Sequence, residues 1–188
     1  MGRAPLIPLL VPLLVLMCGL PGSGKSTLAS ELARRSGALH WNKDALRELL
    51  FPAARVPHDR ALNDACMELM YSAAREALGK RVSMVILDGR PFANEAQRER
   101  ARAAAGEAGA AHVFVFCSAP MDELRRRVDA AHVAPDRNER LLERLAAEFE
   151  PFTEEPIRID TSALSVGQAV EECLAGFAQR GLFATEMR

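Results

Sequence analysis

The 188-residue chain is short of several things that particular function classes need. Aromatic residues make up only 5%, with one tryptophan and one tyrosine. That is thin for the stacking platforms that hold single-stranded nucleic acid. Net charge is almost nil: 24 basic against 25 acidic residues leave −1. Such a balance gives no bulk attraction to long nucleic acid or to an anionic membrane. Cysteine is scarce. Cys18, Cys66, Cys117 and Cys173 form no C-x-x-C and no zinc-spaced Cys/His cluster. They read as small buried hydrophobes in a reducing cytosol, which implies a cytoplasmic protein. The four histidines, His40, His58, His112 and His132, make no triad or metal pattern, and no G-x-S-x-G elbow occurs. There is no internal repeat. The apolar start resembles a signal peptide, yet Pro5, Pro8 and Pro12 interrupt any helical h-region. Cleavage near Cys18 would remove the strand that follows, and the run is too broken to span a membrane. Residues 1–12 are therefore read as a leader, 13–180 as one domain and 181–188 as a C-terminal tail.

What the chain does have is an ordinary globular composition, 49% hydrophobic and 26% charged, and one specific motif. Gly19-Leu20-Pro21-Gly22-Ser23-Gly24-Lys25-Ser26-Thr27 fits G-x-x-x-x-G-K-[ST]. Glycines there let successive N–H groups turn inward onto phosphate oxygens, and the helix that follows adds unpaired N–H groups at its positive end. Lys25 would reach the β- and γ-phosphates, and the Ser26 hydroxyl would ligate Mg²⁺. The context agrees. Leu13 to Cys18 reads as a short buried strand, and Leu28, Ala29, Leu32 and Ala33 recur at helical spacing before Gly37.

Further along, apolar runs alternate with helical patterns. Strands are expected at 38–41, 82–87, 112–117 and 157–159. Helices are expected at 44–50, 59–78, 94–105, 119–131, 137–149 and 166–179. In the second of these helices, Leu62, Cys66, Leu69, Met70 and Ala73 form the apolar face, with Gly79 as its stop. Short apolar strands separated by helices imply an α/β fold, a parallel sheet covered on both faces.

Further positions carry chemistry. Asp88 closes an apolar strand, where a carboxylate at the C-terminal edge would face the loop and hold Mg²⁺ directly or through water. Asp44 follows the second strand and could accept a proton from a substrate hydroxyl. Arg47, one turn on, could clamp an anionic part of that substrate, or else pair with Asp44 on a solvated surface. Asn42-Lys43 begins like a guanine-reading N-K-x-D motif, but Ala45 stands at its fourth position. Arginines at 125–127, 137 and 140 flank a break at Ala134-Pro135, where a mobile segment could carry positive charge over the phosphates. Arg98, Arg100 and Arg102 alternate with Glu95 and Glu99 and read as solvated surface.

The stretch Cys18 to Ala29, together with Lys43-Asp44-Ala45-Leu46-Arg47 and Ile86-Leu87-Asp88-Gly89-Arg90-Pro91-Phe92, resembles the P-loop kinases of the AAA-domain type. These are relatives of polynucleotide 5′-kinase, zeta toxin kinases and gluconate kinase. The resemblance covers nearly all of residues 13–161. It implies a three-layer P-loop fold with a five-stranded parallel sheet of the nucleoside-kinase kind and a small arginine-bearing lid. It implies ATP and Mg²⁺ as cofactors. Gly19, Pro21, Gly22, Ser23, Gly24, Lys25, Ser26 and Thr27 would bind nucleotide, and Ser26 and Asp88 would hold the metal. Asp44 would be the base, and Asp44, Arg47 and Arg90 would contact the acceptor. Relatives often carry a lid arginine about one turn after the position of Arg127. This chain has Val128-Asp129-Ala130-Ala131-His132 there, which leaves Arg127 or Arg137 as the candidate.

The expectation is a phosphotransferase acting on a hydroxyl of a small molecule or nucleotide, as a monomer or homodimer. A nucleic-acid 5′-hydroxyl kinase and a nucleotide-binding switch with no acceptor are the alternatives.

Overall fold

The computed structural model describes residues 11–56, 59–131 and 139–182. Five strands form one sheet: β1 (Leu13–Cys18), β2 (Leu39–Asn42), β3 (Met84–Asp88), β4 (Ala111–Ser118) and β5 (Ile157–Asp160). Their order is β2-β3-β1-β4-β5, and every neighbouring pair is parallel. Seven helices are described: α1 (Lys25–Ser36), α2 (Lys43–Leu50), α3 (Arg60–Gly79), α4 (Glu95–Glu107), α5 (Met121–Ala131), α6 (Glu139–Ala147) and α7 (Val166–Gln179). The α/β architecture matches the sequence expectation, and strand and helix limits move by at most two residues.

β1 sits in the middle of the sheet, and all six of its residues are fully buried. Alternate residues serve opposite layers. Leu13, Val15 and Met17 pack with Leu28 and Leu32 of α1 and with Val170, Cys173 and Phe177 of α7. Leu14, Leu16 and Cys18 pack with Met67, Met70 and Leu78 of α3, with Ala101 and Ala105 of α4, and with Phe114. A strand buried on both faces needs a continuous apolar run, which is why LLVLMC shows no alternation. β5 lies at an edge, and its IRID sequence alternates buried and exposed.

Three local expectations need correction. The buried face of α3 is Cys66, Met67, Met70, Tyr71, Ala74 and Leu78, while Leu69 and Ala73 are exposed. The helix presents Met67 and Tyr71 to the sheet, turning the contact stripe away from Leu69. Gly79 is the last helical residue of α3 rather than its stop, and the left-handed turn is made by Arg81 (φ 68°). Arg98 is fully buried instead of solvated.

Candidate functional site

The loop Gly19–Thr27 joins the C-terminal end of β1 to α1. Gly19 has φ 126°, and a Cβ on it would lie 2.2 Å from the Cys117 carbonyl oxygen of β4, so no other residue fits against the neighbouring strand. Its N–H donates to Pro91 O at 3.1 Å, tying this loop to the β3–α4 connection. Lys25 Nζ donates to Leu20 O (2.7 Å) and Ser23 Oγ (3.4 Å). Thr161, just after β5, donates from Oγ1 to Ser23 O and Ser118 O, each at 3.1 Å.

Asp88 ends β3 and is fully buried. Parallel register sets it beside Asn42 of β2, and Asn42 Nδ2 donates to Asp88 Oδ2 at 2.7 Å. His40 Nε2 lies 3.7 Å from the same oxygen. Burial pushes the Asp88 pKa up. Donors on His40 and Ser26, the charge of Lys25 and the Gly89 N–H together outweigh it and hold the pKa at about 2. Asp88 is thus a carboxylate at neutral pH, and its Oδ1 is buried without a hydrogen-bond partner in the protein. An ionised, orphaned oxygen below the start of α1 suits a hard cation, which takes oxygen ligands. Asp88 Oδ1 and the Ser26 hydroxyl therefore fit Mg²⁺. Among the described residues no group of three His, Cys, Asp or Glu could hold a metal by itself.

The other half of the site grows from the same pair of strands. Asn42 caps α2: its Oδ1 accepts from Asp44 N (2.9 Å) and Ala45 N (3.1 Å). One side chain thus fixes both Asp88 and the backbone that carries Asp44. Gly89 (φ 88°) permits this approach, since a Cβ there would stand 2.8 Å from Lys43 N. Asp44 Oδ1 pairs with Lys43 Nζ at 2.8 Å and with Arg47 Nη2 at 3.5 Å. Lys43 Nζ and Arg47 Nη1 both donate to Asn63 Oδ1 of α3, at 2.8 and 2.7 Å. Burial is the main cause that lowers the Lys43 pKa, and the charges of Arg47 and Arg90 add to it against the pull of Asp44. Arg90 Nη2 pairs with Asp64 Oδ1 at 2.5 Å.

A cleft of about 620 Å³ unites the two halves. Gly19, Pro21, Gly22, Gly24, Lys25, Ser26 and Thr27 line one end, and Asp44, Arg47 and Arg90 line the other. Ser23 is buried behind the loop. Arg127 of α5 borders the cleft, where its Nη1 donates to Gly22 O (3.3 Å) and Thr161 Oγ1 (3.0 Å) and its Nη2 to Thr161 O (3.1 Å). It braces the loop against the end of β5. Arg125 pairs with Glu139 and Glu143 of α6. Arg137 lies outside the described residues, as do residues 1–10 of the leader and 183–188 of the tail. The four cysteines are free and buried, and burial pushes the Cys117 thiol up to about 12, which suits packing rather than nucleophilic chemistry.

Sequence reasoning missed Asn42, Asn63, Thr161 and Arg98. Asn42 had a readable signal, an Asn just before a helical pattern. Asn63 and Thr161 had none, because their partners lie far off in sequence. Arg98 donates to Phe92 O (3.1 Å), Glu150 O (3.3 Å), Pro151 O (2.7 Å) and Glu95 Oε2 (3.0 Å), and stacks 4.7 Å over the Phe152 ring. It holds the β3–α4 loop, where buried Phe92 takes a left-handed φ of 51°.

Strand order, loop and cleft define a P-loop domain of the kinase fold. The chain belongs to the AAA domain family (AAA_33), whose model matches residues 14–152. Solved structures agree on the fold. A protein of Chloroflexus aurantiacus J-10-fl, named as a putative kinase, superposes with TM-score 0.72 at 21% identity, covering 91% of this chain and 98% of its own. A gluconokinase from Sinorhizobium meliloti 1021 gives 0.66 at 23% identity over 90% and 93%. The APS kinase of Mycobacterium tuberculosis in complex with AMPPNP and APS gives 0.64 at 20% identity over 89% and 97%. No curated protein matches the chain. Among the described residues no helix is long and apolar enough to cross a membrane.

Proposed function

We propose that the protein is an ATP-dependent kinase that moves the γ-phosphoryl group to a hydroxyl of a small molecule or nucleotide. The observation that carries this reading is the sharing of one cleft by the Gly19–Thr27 loop and Asp44, with the Asp88 carboxylate buried between them. The kinase names of the superposed structures support it.

The loop N–H groups and Lys25 bind and orient the phosphates. Ser26 and Asp88 would hold Mg²⁺, which when bound offsets phosphate charge. Asp44 accepts the proton of the acceptor hydroxyl as its oxygen bonds to the γ-phosphorus. The bond from that phosphorus to the β–γ bridging oxygen breaks, and ADP leaves with the electron pair. Arg47 and Arg90 align the acceptor, and Arg127 keeps the loop in place from α5. Most of the rate enhancement comes from positioning and charge stabilisation.

Two variants test the proposal. Lys25→Ala abolishes ATP turnover. Asp44→Asn keeps ATP binding, measured by titration, and lowers transfer to a hydroxyl acceptor by about 10²–10⁴-fold. Transfer unchanged in Asp44→Asn overturns the assignment of the base. ATP hydrolysis that no hydroxyl compound accelerates points to the acceptor-free switch instead.

A further inference from the structure

A second cavity, of about 280 Å³, opens between α3 and α4 beside the main cleft. Asp64, Arg90, Asn94 and Gln97 line both, as does Arg60, so the two spaces meet along one wall. The Arg90–Asp64 ion pair stands on that wall. Tyr71 and Met67 of α3 and Ala96 of α4 belong to the side cavity and not to the cleft. Whole small-molecule sites run to roughly 300–1,000 Å³, so a space of this size suits one part of a larger ligand.

The charges around it are paired within the wall. Arg90 Nη2 holds Asp64 Oδ1 at 2.5 Å, and Arg100 grips Glu68 with Nε (2.9 Å) and Nη2 (2.7 Å). Arg60 is exposed, and water screens its charge. The groups left to face a ligand are neutral. Asn94 Oδ1 accepts from Gln97 N and Gln97 Oε1 accepts from Ala93 N, each at 3.0 Å. The backbone thus takes both amide oxygens, which leaves the two NH₂ groups as donors. Tyr71 is only 4% exposed, and among the described residues its hydroxyl has no hydrogen-bond partner. A buried tyrosine hydroxyl ordinarily finds one. Burial pushes its pKa up, so the phenol stays protonated and can both donate and accept. Its ring is taken: the Arg100 guanidinium lies 5.1 Å from the ring centroid, and the ring belongs to the apolar layer under α3 and α4.

Resting on the kinase reading, we infer that the side cavity is a second acceptor subsite, and that the acceptor is a neutral glycoside of two hydroxylated rings. One ring presents its hydroxyl to Asp44, and the other sits against Tyr71. A sugar hydroxyl donates and accepts, as the phenol does, and its oxygens can take the N–H groups of Asn94 and Gln97. Met67 and Ala96 offer apolar surface to the C–H faces of the ring. With the Tyr71 ring already covered, the cavity presents a hydroxyl rather than an aromatic face, which favours a sugar over a stacked base. Tyr71 does not touch the reacting atoms. It is a specificity-determining residue that acts on the distal ring.

Two variants address the cavity. Tyr71→Phe removes only the hydroxyl, and Ala96→Phe fills the space from α4. Ala103→Phe, the same change at an exposed position of that helix, is the control. Cellobiose, maltose and lactose are compared with glucose and galactose, with lactobionic acid as the anionic two-part compound and uridine as the one that carries a base. Phosphoryl transfer is one assay, and NMR titration of the protein saturated with a non-hydrolysable ATP analogue is the other. In the wild type, at least one disaccharide is expected to exceed the monosaccharides about tenfold or more in kcat/KM and in Kd. Tyr71→Phe should narrow that ratio about three- to tenfold, the effect of one neutral hydrogen bond. Ala96→Phe should narrow it about tenfold or more, and Ala103→Phe should leave it unchanged. All three variants should bind the ATP analogue as the wild type does, which shows that they are folded. Disaccharides no better than monosaccharides in the wild type, including binding of neither, overturn the inference. So does a preference that survives Ala96→Phe, and one untouched by Tyr71→Phe overturns the role of Tyr71. Lactobionic acid or uridine bound more tightly than every disaccharide overturns the neutral, sugar-like class. Transfer to monosaccharides without such a preference sinks this inference and leaves the kinase reading standing. Disaccharide binding lost in Ala96→Phe, with no transfer to any compound, does the reverse.

Discussion

Asp88 shows how neighbours decide the state of a buried side chain. A carboxyl group taken wholly out of water would normally be pushed toward its neutral form. Here the His40 and Ser26 donors, the Lys25 charge and the Gly89 N–H reverse that, and the pKa sits at about 2 against an ordinary 3.8. A folded-state pKa below the unfolded one means the native state holds fewer protons as the pH falls. The stabilisation from Asp88 is therefore fully present above about pH 4 and is lost as pH drops through about 2, a contribution on the order of 2 kcal/mol. Urea midpoints between pH 2 and 6 check this. The gap between wild type and Asp88→Asn should be widest near pH 6 and shrink toward pH 2. A gap that does not change with pH would mean that Asp88 is not ionised in the native state below pH 4.

At the scale of elements, the site depends on how the ends of β2, β3 and α4 are tied to one another. Asn42 links the end of β2 to Asp88 of β3 and to the first turn of α2. Arg98 does the same work from α4. Its guanidinium gathers carbonyls from the β3–α4 loop and from residues 150 and 151, which follow α6. Replacing it by methionine keeps much of the volume but leaves those carbonyls without their donor inside the fold. Arg98→Met should cost about 3–5 kcal/mol, the range for breaking a buried ionic arrangement, as read from urea denaturation. The loss should exceed that from Arg100→Met, whose side chain lies on the surface beside Glu68. Equal losses would remove the clamp role. Arg98 also shows why part of this layer was hidden in the sequence. The run EAQRERAR has the charge alternation of a solvated face, and nothing local reveals that three carbonyl acceptors come from positions 92, 150 and 151. The central strands were legible because they are short apolar runs bounded by turns, as in LLVLMC and MVILD. The proposed donor half of the site was legible for a similar reason: Gly19 to Thr27 is contiguous, and a single loop carries its chemistry. The proposed acceptor half is assembled from α2, α3 and the β3–α4 loop, so Asn63 has meaning only once α3 is placed against α2.

For the molecule as a whole, the sheet divides two apolar layers, one under α1 and α7 and one under α3 and α4. The nucleotide loop touches the joints of this arrangement. It leaves β1, abuts Cys117 at the end of β4, is held by Thr161 after β5 and by Arg127 from α5, and donates from the Gly19 N–H to Pro91 O in the β3–α4 connection. A ligand that orders this loop therefore engages elements on every side of the sheet's C-terminal edge, and its binding energy reports on global unfolding. Any ligand bound by the native state alone stabilises by mass action, about 2.7 kcal/mol at a hundred times its Kd. For a domain of this size that corresponds to a rise in Tm of about 5–10 °C. Mg²⁺ with a non-hydrolysable ATP analogue should produce such a rise in a thermal unfolding scan, growing with the logarithm of ligand concentration. Lys25→Ala should abolish it, because the phosphates then lose the ammonium group that the loop presents to them. Asp44→Asn should keep the full rise, since the role proposed for Asp44 is with the acceptor and not with the nucleotide. An equal rise in wild type and Lys25→Ala would place the nucleotide elsewhere on the molecule and detach the Gly19–Thr27 loop from the proposed reaction.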